Sequence, residues 1–139
     1  MKITGELESS LVIERVETES TRTGAVNVNV KVAGDGFAGC CDSVWITHES
    51  IDAFSTQLRD LQLAYENTAN IKSMPAGSGF SVTLKNCDRL GHVSVDARLS
   101  QYRHVRDHCG KMSTVRLHFE IDTSMLGDIA SEMESEFTA

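Results

Sequence analysis

Apolar residues recur with a period of two along most of the chain, and with spacings of three and four in two places. Val26, Val28, Val30 and Val32 alternate with Asn27, Asn29 and Lys31, the pattern of a strand with one buried and one wet face. The same alternation marks Phe80, Val82 and Leu84, then Val93, Val95, Ala97 and Leu99, and later Val115, Leu117, Phe119 and Ile121. Ile3 to Leu7, Leu11 to Val16 and Ala69 to Met74 are shorter strand candidates. Phe37 to Ile46 is another, irregular where Gly39, Cys40 and Cys41 fall. Glu17 to Gly24, Gly34 to Gly36, Pro75 to Gly79 and Cys87 to Gly91 carry the Gly, Pro, Asp and Ser content of turns, and Tyr102 to Ser113 reads as a polar loop. The last three strands follow one another too closely for crossover helices, so they are expected to form an antiparallel meander.

The helical spacing is clearest in the stretch Val44 to Tyr65, where a buried strand end (Val44, Trp45, Ile46) runs through a cap into an amphipathic helix. Ile51, Phe54, Leu58, Leu61 and Tyr65 share one face, while Asp52, Gln57, Arg59 and Asp60 fall elsewhere. Thr47 can cap this helix, Glu49 and Asp52 place negative charge near its start, and it should end near Glu66 or Asn67. The pattern returns at the C-terminus: Asp122, Thr123 and Ser124 offer cap side chains before Leu126, Ile129, Ala130, Met133 and Phe137. Overlaying Ile46 on Ile121 places Ile51 on Leu126, Phe54 on Ile129 and Leu58 on Met133. An internal repeat fits these matches, as does generic patterning. The expected architecture is α+β, one domain over residues 1–139. It has a mainly antiparallel sheet of about seven or eight strands in two meanders, each followed by a covering helix.

A chain of 139 residues is long enough to bury a core without a covalent staple. No apolar run approaches the ~20 residues of a membrane span. The opening Lys2, Ile3, Thr4, Gly5, Glu6 lacks the apolar segment of a signal peptide, so a cytoplasmic, bacterial-type protein is expected. Cys40, Cys41, Cys87 and Cys109 show no Cys-x-x-Cys pair, and reduced thiols are expected. Adjacent strand residues point to opposite faces, which keeps Cys40 from bonding Cys41. Charge is uneven. From Glu120 to Ala139 there are six carboxylates and no Lys, Arg or His, within a net charge of −7. Arg98 to His118 is basic and contains His104, His108 and His118. A mainly acidic protein is a poor holder of a nucleic-acid backbone, and a basic protein partner suits it better.

Three constellations could carry chemistry. Cys87, Asp88 and His92 lie around a hairpin turn, where a thiol and an imidazole base could meet; the plainer reading is a turn in which Asp88 bonds nearby backbone N–H groups and Gly91 is left-handed. His104, Arg106, His108 and Cys109 give a His-x-x-x-His spacing usable by a transition metal if helical, or a solvated basic loop. No metal or other cofactor is expected. The C-terminal helix ends on Glu132, Glu134 and Glu136, where the macrodipole disfavours anions. That placement suits a partner-facing acidic surface, or one that serves solubility or pairs within its own chain.

Trp45 and Ile46 ahead of the first helix, Phe80-Ser-Val-Thr-Leu, Asp88-Arg-Leu-Gly-His-Val, and Phe119-Glu-Ile-Asp before Leu126 together resemble small bacterial immunity proteins of the wall-associated-protein type and related domains of unknown function. The resemblance covers Phe37 to Phe137 and implies binding to a secreted toxin domain without catalysis. No catalytic residue carries over from it. The expected function is therefore a non-enzymatic, immunity-like binding domain. Asp128, Glu132, Glu134 and Glu136 would engage a basic partner, with neither nucleic acid nor membrane involved. The alternatives are a homo-oligomeric structural module and a small enzyme or ligand-binding domain at the Cys87–His92 turn.

Overall fold

The period-two runs pair in chain order. In the computed structural model, residues 1–16, 24–74, 79–106 and 109–137 are described, the side chains of 103–109 excepted. The Glu17–Gly24 and Pro75–Gly79 turn readings fall largely outside the described residues. Strands β1 (Lys2–Thr4), β2 (Ser10–Arg15), β3 (Ala25–Gly34) and β4 (Phe37–Thr47) lead into helix α1 (His48–Leu63). Strands β5 (Thr68–Lys72), β6 (Gly79–Asn86), β7 (His92–Arg106) and β8 (Cys109–Asp122) lead through a 3-10 turn, Thr123–Met125, into helix α2 (Leu126–Phe137).

The α+β class and the antiparallel meanders stand, but the strands form two four-stranded sheets, β1-β2-β3-β4 and β5-β6-β7-β8, rather than one of seven or eight. The division falls at α1, which separates β4 from β5 along the chain, and no ladder joins those two strands. The sheets nevertheless meet. The Met74 N–H donates to the Trp45 carbonyl at 2.8 Å. The Cys41 thiol lies 3.5 Å from the Gly79 and Ser100 carbonyl oxygens. Gly5, just past β1, sits so close to β8 that a Cβ there would meet the Phe119 ring and come within 2.8 Å of the Glu120 carbonyl.

The inward side chains of both sheets and both helices join one apolar cluster, with Ile13, Ile46, Phe54, Leu58, Leu84, Leu126 and Phe137 fully enclosed. Burying such a side chain is worth roughly 1.5–3 kcal/mol, which makes this cluster the main source of cohesion. Among the described residues, no helix is long and apolar enough to cross a membrane.

Three local readings change. The pairing of β3 with β4 slips between Val28 and Val30, so the irregularity lies at Asp42 and Ser43, just beyond the cysteines. Ser43 takes φ +56°, its N–H donates to Asn29 Oδ1 at 2.9 Å and its hydroxyl accepts from Asn27 Nδ2 at 3.0 Å. The extra residue lets Cys41 and Val44 both face the core. Helix α1 ends at Leu63 with an extended Ala64 cap, earlier than Glu66, and Tyr65 is 43 % exposed instead of closing the apolar stripe. The expected loop Tyr102–Ser113 is mostly strand, paired from Gln101↔Ser113 to Arg106↔Cys109. Where the hairpin runs past the core, Gln101 and Tyr102 on one strand and Gly110 to Thr114 on the other are all exposed, so alternation there has nothing to report.

Candidate functional site

Helix α1 and the 3-10 turn that leads into α2 each start where the sequence supplies an acceptor. Thr47 Oγ1 accepts from the Ser50 N–H at 3.1 Å, and Asp122 Oδ1 accepts from the Ser124 N–H at 2.8 Å. This bond holds the Asp122 carboxyl below the usual range. The two helices run antiparallel and touch: Gln62 Nε2 reaches the Thr123 carbonyl at 3.4 Å, beside Gly127. Further along, Arg59 grips Glu134 through two bonds of 3.3 and 2.9 Å. Ser55 on α1 is 2 % exposed, and among the described residues its hydroxyl finds no hydrogen-bond partner.

The four carboxylates expected to bind a partner therefore have different surroundings. Asp128 is exposed in the first turn of α2, where the macrodipole favours it. Glu134 is half exposed and held by Arg59. Glu136 pairs with the Met1 amino group, which also donates to the Ile13 carbonyl at 2.8 Å. Glu132 accepts from the Lys2 N–H at 3.3 Å. Some of the adverse charge at the end of α2 is thus offset within the chain, by Arg59, the Met1 amino group and the Lys2 N–H. Sequence reasoning missed the neighbouring contribution of α1. Glu49, Asp52 and Asp60 are exposed, and Glu49 and Asp52 rim a shallow depression of about 660 Å³ floored by Ala53, Thr56 and Gln57. The signal was available, since Asp52 and Asp60 fall off the apolar face. Together the helices hold seven carboxylates against the single guanidinium of Arg59.

The Cys87–His92 turn is built on Asp88. Its Oδ1 accepts from the Leu90 N–H at 2.8 Å and the His92 N–H at 3.4 Å, and its Oδ2 lies 2.6 Å from His92 Nδ1. Gly91 has φ +93°, which glycine adopts without steric cost. The Cys87 N–H closes the hairpin on the His92 carbonyl at 2.9 Å. The Asp88 bond pushes the His92 imidazole above its ordinary value, and the same bond holds the Asp88 carboxyl low. Cys87 is exposed, and among the described residues no hydrogen bond joins its sulfur to His92. A hollow of about 280 Å³ adjoins the turn, lined by Leu61, Gln62, Tyr65, Arg89 and Thr123 among others, with the Arg89 guanidinium 5.6 Å from the Tyr65 ring centre.

Cys40, Cys41 and Cys87 are free thiols. Cys40 faces out and Cys41 in, as alternation requires, and burial pushes the Cys41 thiol up. Among the described residues no group of three or more His, Cys, Asp or Glu could hold a metal. The side chains of His104, His108 and Cys109 lie outside the described residues. Compared with protein families, curated proteins and solved structures, the chain shows no significant match.

Proposed function

We propose that this chain is a non-enzymatic protein-binding domain of the immunity type, acting in the cytoplasm by covering a basic partner such as a toxin domain. The observation that carries this reading is the helix pair. Seven carboxylates against one guanidinium give that layer a charge of −6, most of the −7 of the whole chain. Asp128, Glu132, Glu134 and Glu136 form the α2 half of the proposed surface, and Glu49, Asp52 and Asp60 extend it along α1. A partner that holds phosphates through Lys and Arg would find those groups occupied, and its association would be steered by charge and slowed by salt. The resemblance to immunity proteins points the same way.

The test is a pull-down from the source cell at low and moderate salt, followed by mass spectrometry. A single basic toxin domain recovered by the parent chain, and lost with Asp128→Lys and Glu134→Lys, supports the proposal. A partner whose recovery ignores both salt and charge reversal refutes the acidic surface. Recovery of no partner at either salt counts against protein binding itself.

A further inference from the structure

The cations of this chain are as segregated as its carboxylates. Strands β5–β8 contain seven Lys or Arg against three Asp or Glu. Strand register arranges the outward-facing ones: Lys72 lies opposite Ser81, Ser81 opposite Arg98, and Arg98 opposite Arg116, one rung across the whole second sheet. Lys85 faces the same way one strand from the sheet edge, with Ser94 and Glu120 in its rung. Arg116 is clasped by Asp96 at 3.1 and 2.7 Å, and His118 lies 3.6 Å from the same carboxylate. Lys72, Lys85 and Arg98 are exposed and, among the described residues, have no carboxylate at ion-pair distance. Two guanidinium side chains directly opposite each other weaken a sheet. A face chosen for stability alone would place a carboxylate at one of those positions.

We infer that this cationic sheet face docks the acidic helix layer of a second copy of the chain, head to tail, with Lys72, Lys85 and Arg98 of one copy meeting Asp52 and Asp60 of the next. Both complementary surfaces belong to the same molecule, and their dimensions agree. Two strand spacings carry Lys72 to Arg98 over about 10 Å. Eight helical residues carry Asp52 to Asp60 over about 12 Å on one side of α1. A helix laid across the strands thus meets cations at the spacing of its own carboxylates. The contact is heterologous, so it propagates as an open chain or closes into a ring. It stands independently of any toxin partner.

Sedimentation velocity on the full chain tests this at about 0.02 M and about 0.3 M salt, where the Debye length falls from about 20 Å to under 6 Å. The expected result is a sedimentation coefficient that climbs with protein concentration at low salt and is flat at high salt. Lys85→Glu with Arg98→Glu, and separately Asp52→Lys with Asp60→Lys, should each sediment as monomers with melting curves matching the parent. An equimolar mixture of the two variants should associate again, at least about tenfold more tightly than either alone, because each supplies the surface the other has lost. A parent chain that stays monomeric at low salt overturns the proposal, as do variants that associate like the parent or a mixture that stays monomeric. Single-stranded DNA added to the parent at low salt tests the other anionic occupant. If DNA binds through Arg98 while the chain fails to self-associate, the face belongs to a polyphosphate and the proposal fails.

Discussion

The turn between β1 and β2 places two residues where side chains are unwelcome. The Ser9 N–H donates to the Glu6 carbonyl at 3.0 Å, and the intervening Leu7 and Glu8 have φ +54° and +61°, the two left-handed positions of a type I′ turn. Each non-glycine residue there carries a steric cost of about 1 kcal/mol. Glu8→Gly is therefore expected to raise stability slightly, by up to roughly 0.5 kcal/mol, after subtracting the greater freedom of glycine in the unfolded chain. A urea midpoint that moves up at unchanged slope would show it; a downward move would mean the turn is not strained. At the other hairpin, the Asp88–His92 bond makes stability depend on pH with a definite sign. The His92 value is raised, so its contribution is complete below the unfolded value near 6.5 and is lost as pH climbs through the raised folded value. The Asp88 value is lowered, so its contribution is complete above the unfolded value near 3.9 and is lost as pH falls through the depressed one. Both contributions are therefore whole between about pH 5 and 6. Proton NMR of the imidazole should titrate above about 6.5 in the parent chain and drop toward that value in Asp88→Asn; a parent midpoint at or below it would contradict the bond. The turn chemistry of Asp88 and Gly91 was legible from residue type. The choice of Asp88 rather than Cys87 as the partner of His92 was not, because hairpin geometry makes it.

Helix starts are the elements on which local sequence speaks most directly, since a cap needs one side chain and three residues of backbone. Thr47→Ala and Asp122→Ala each remove an acceptor from an N-terminal N–H and should each cost about 1 kcal/mol in chemical denaturation, with Thr47→Ser close to the parent. Equal curves for Thr47→Ala and the parent would show that the Oγ1 bond does not hold the helix end. The stripe Ile51, Phe54, Leu58 and Leu61 was readable for the same reason: its periodicity is enforced by the sheets it covers. The β7–β8 hairpin beyond Ser100↔Thr114 was not readable. There Tyr102 pairs with Met112, and both are exposed, at 45 % and 58 %. A hairpin with no core beneath it has no alternation to display and should be held mainly by its ladder. Amide hydrogen exchange should show this as a drop in protection from Val93–Leu99 to the amides beyond Ser100. Uniform protection to the tip would mean that something covers the hairpin.

At the scale of the molecule, the overlay of residues 46–58 on 121–133 has a structural counterpart: four antiparallel strands and a helix, twice. The caps fall into the same alignment, Thr47 on Asp122. Residue patterning conveyed the antiparallel strands and the two helices, yet not the break into two sheets. That break depends on where β5 returns relative to β4, a long-range matter that no local spacing records. The two halves nevertheless share one core, and Gly5 is packed tightly between them. A methyl group at Gly5 would overlap the Phe119 ring and the Glu120 carbonyl, so Gly5→Ala should destabilise by about 1–3 kcal/mol through overpacking. Trp45 fluorescence reports on the first sheet, and the methyl resonances of Val82 and Val95 report on the second. If the core is one cooperative unit, the three signals have coincident urea midpoints in the parent chain and fall together in Gly5→Ala, although the substitution lies beside β1. Separation of the fluorescence and methyl curves, in either chain, would show that each half unfolds by itself and that the shared cluster does not bind the two into one transition.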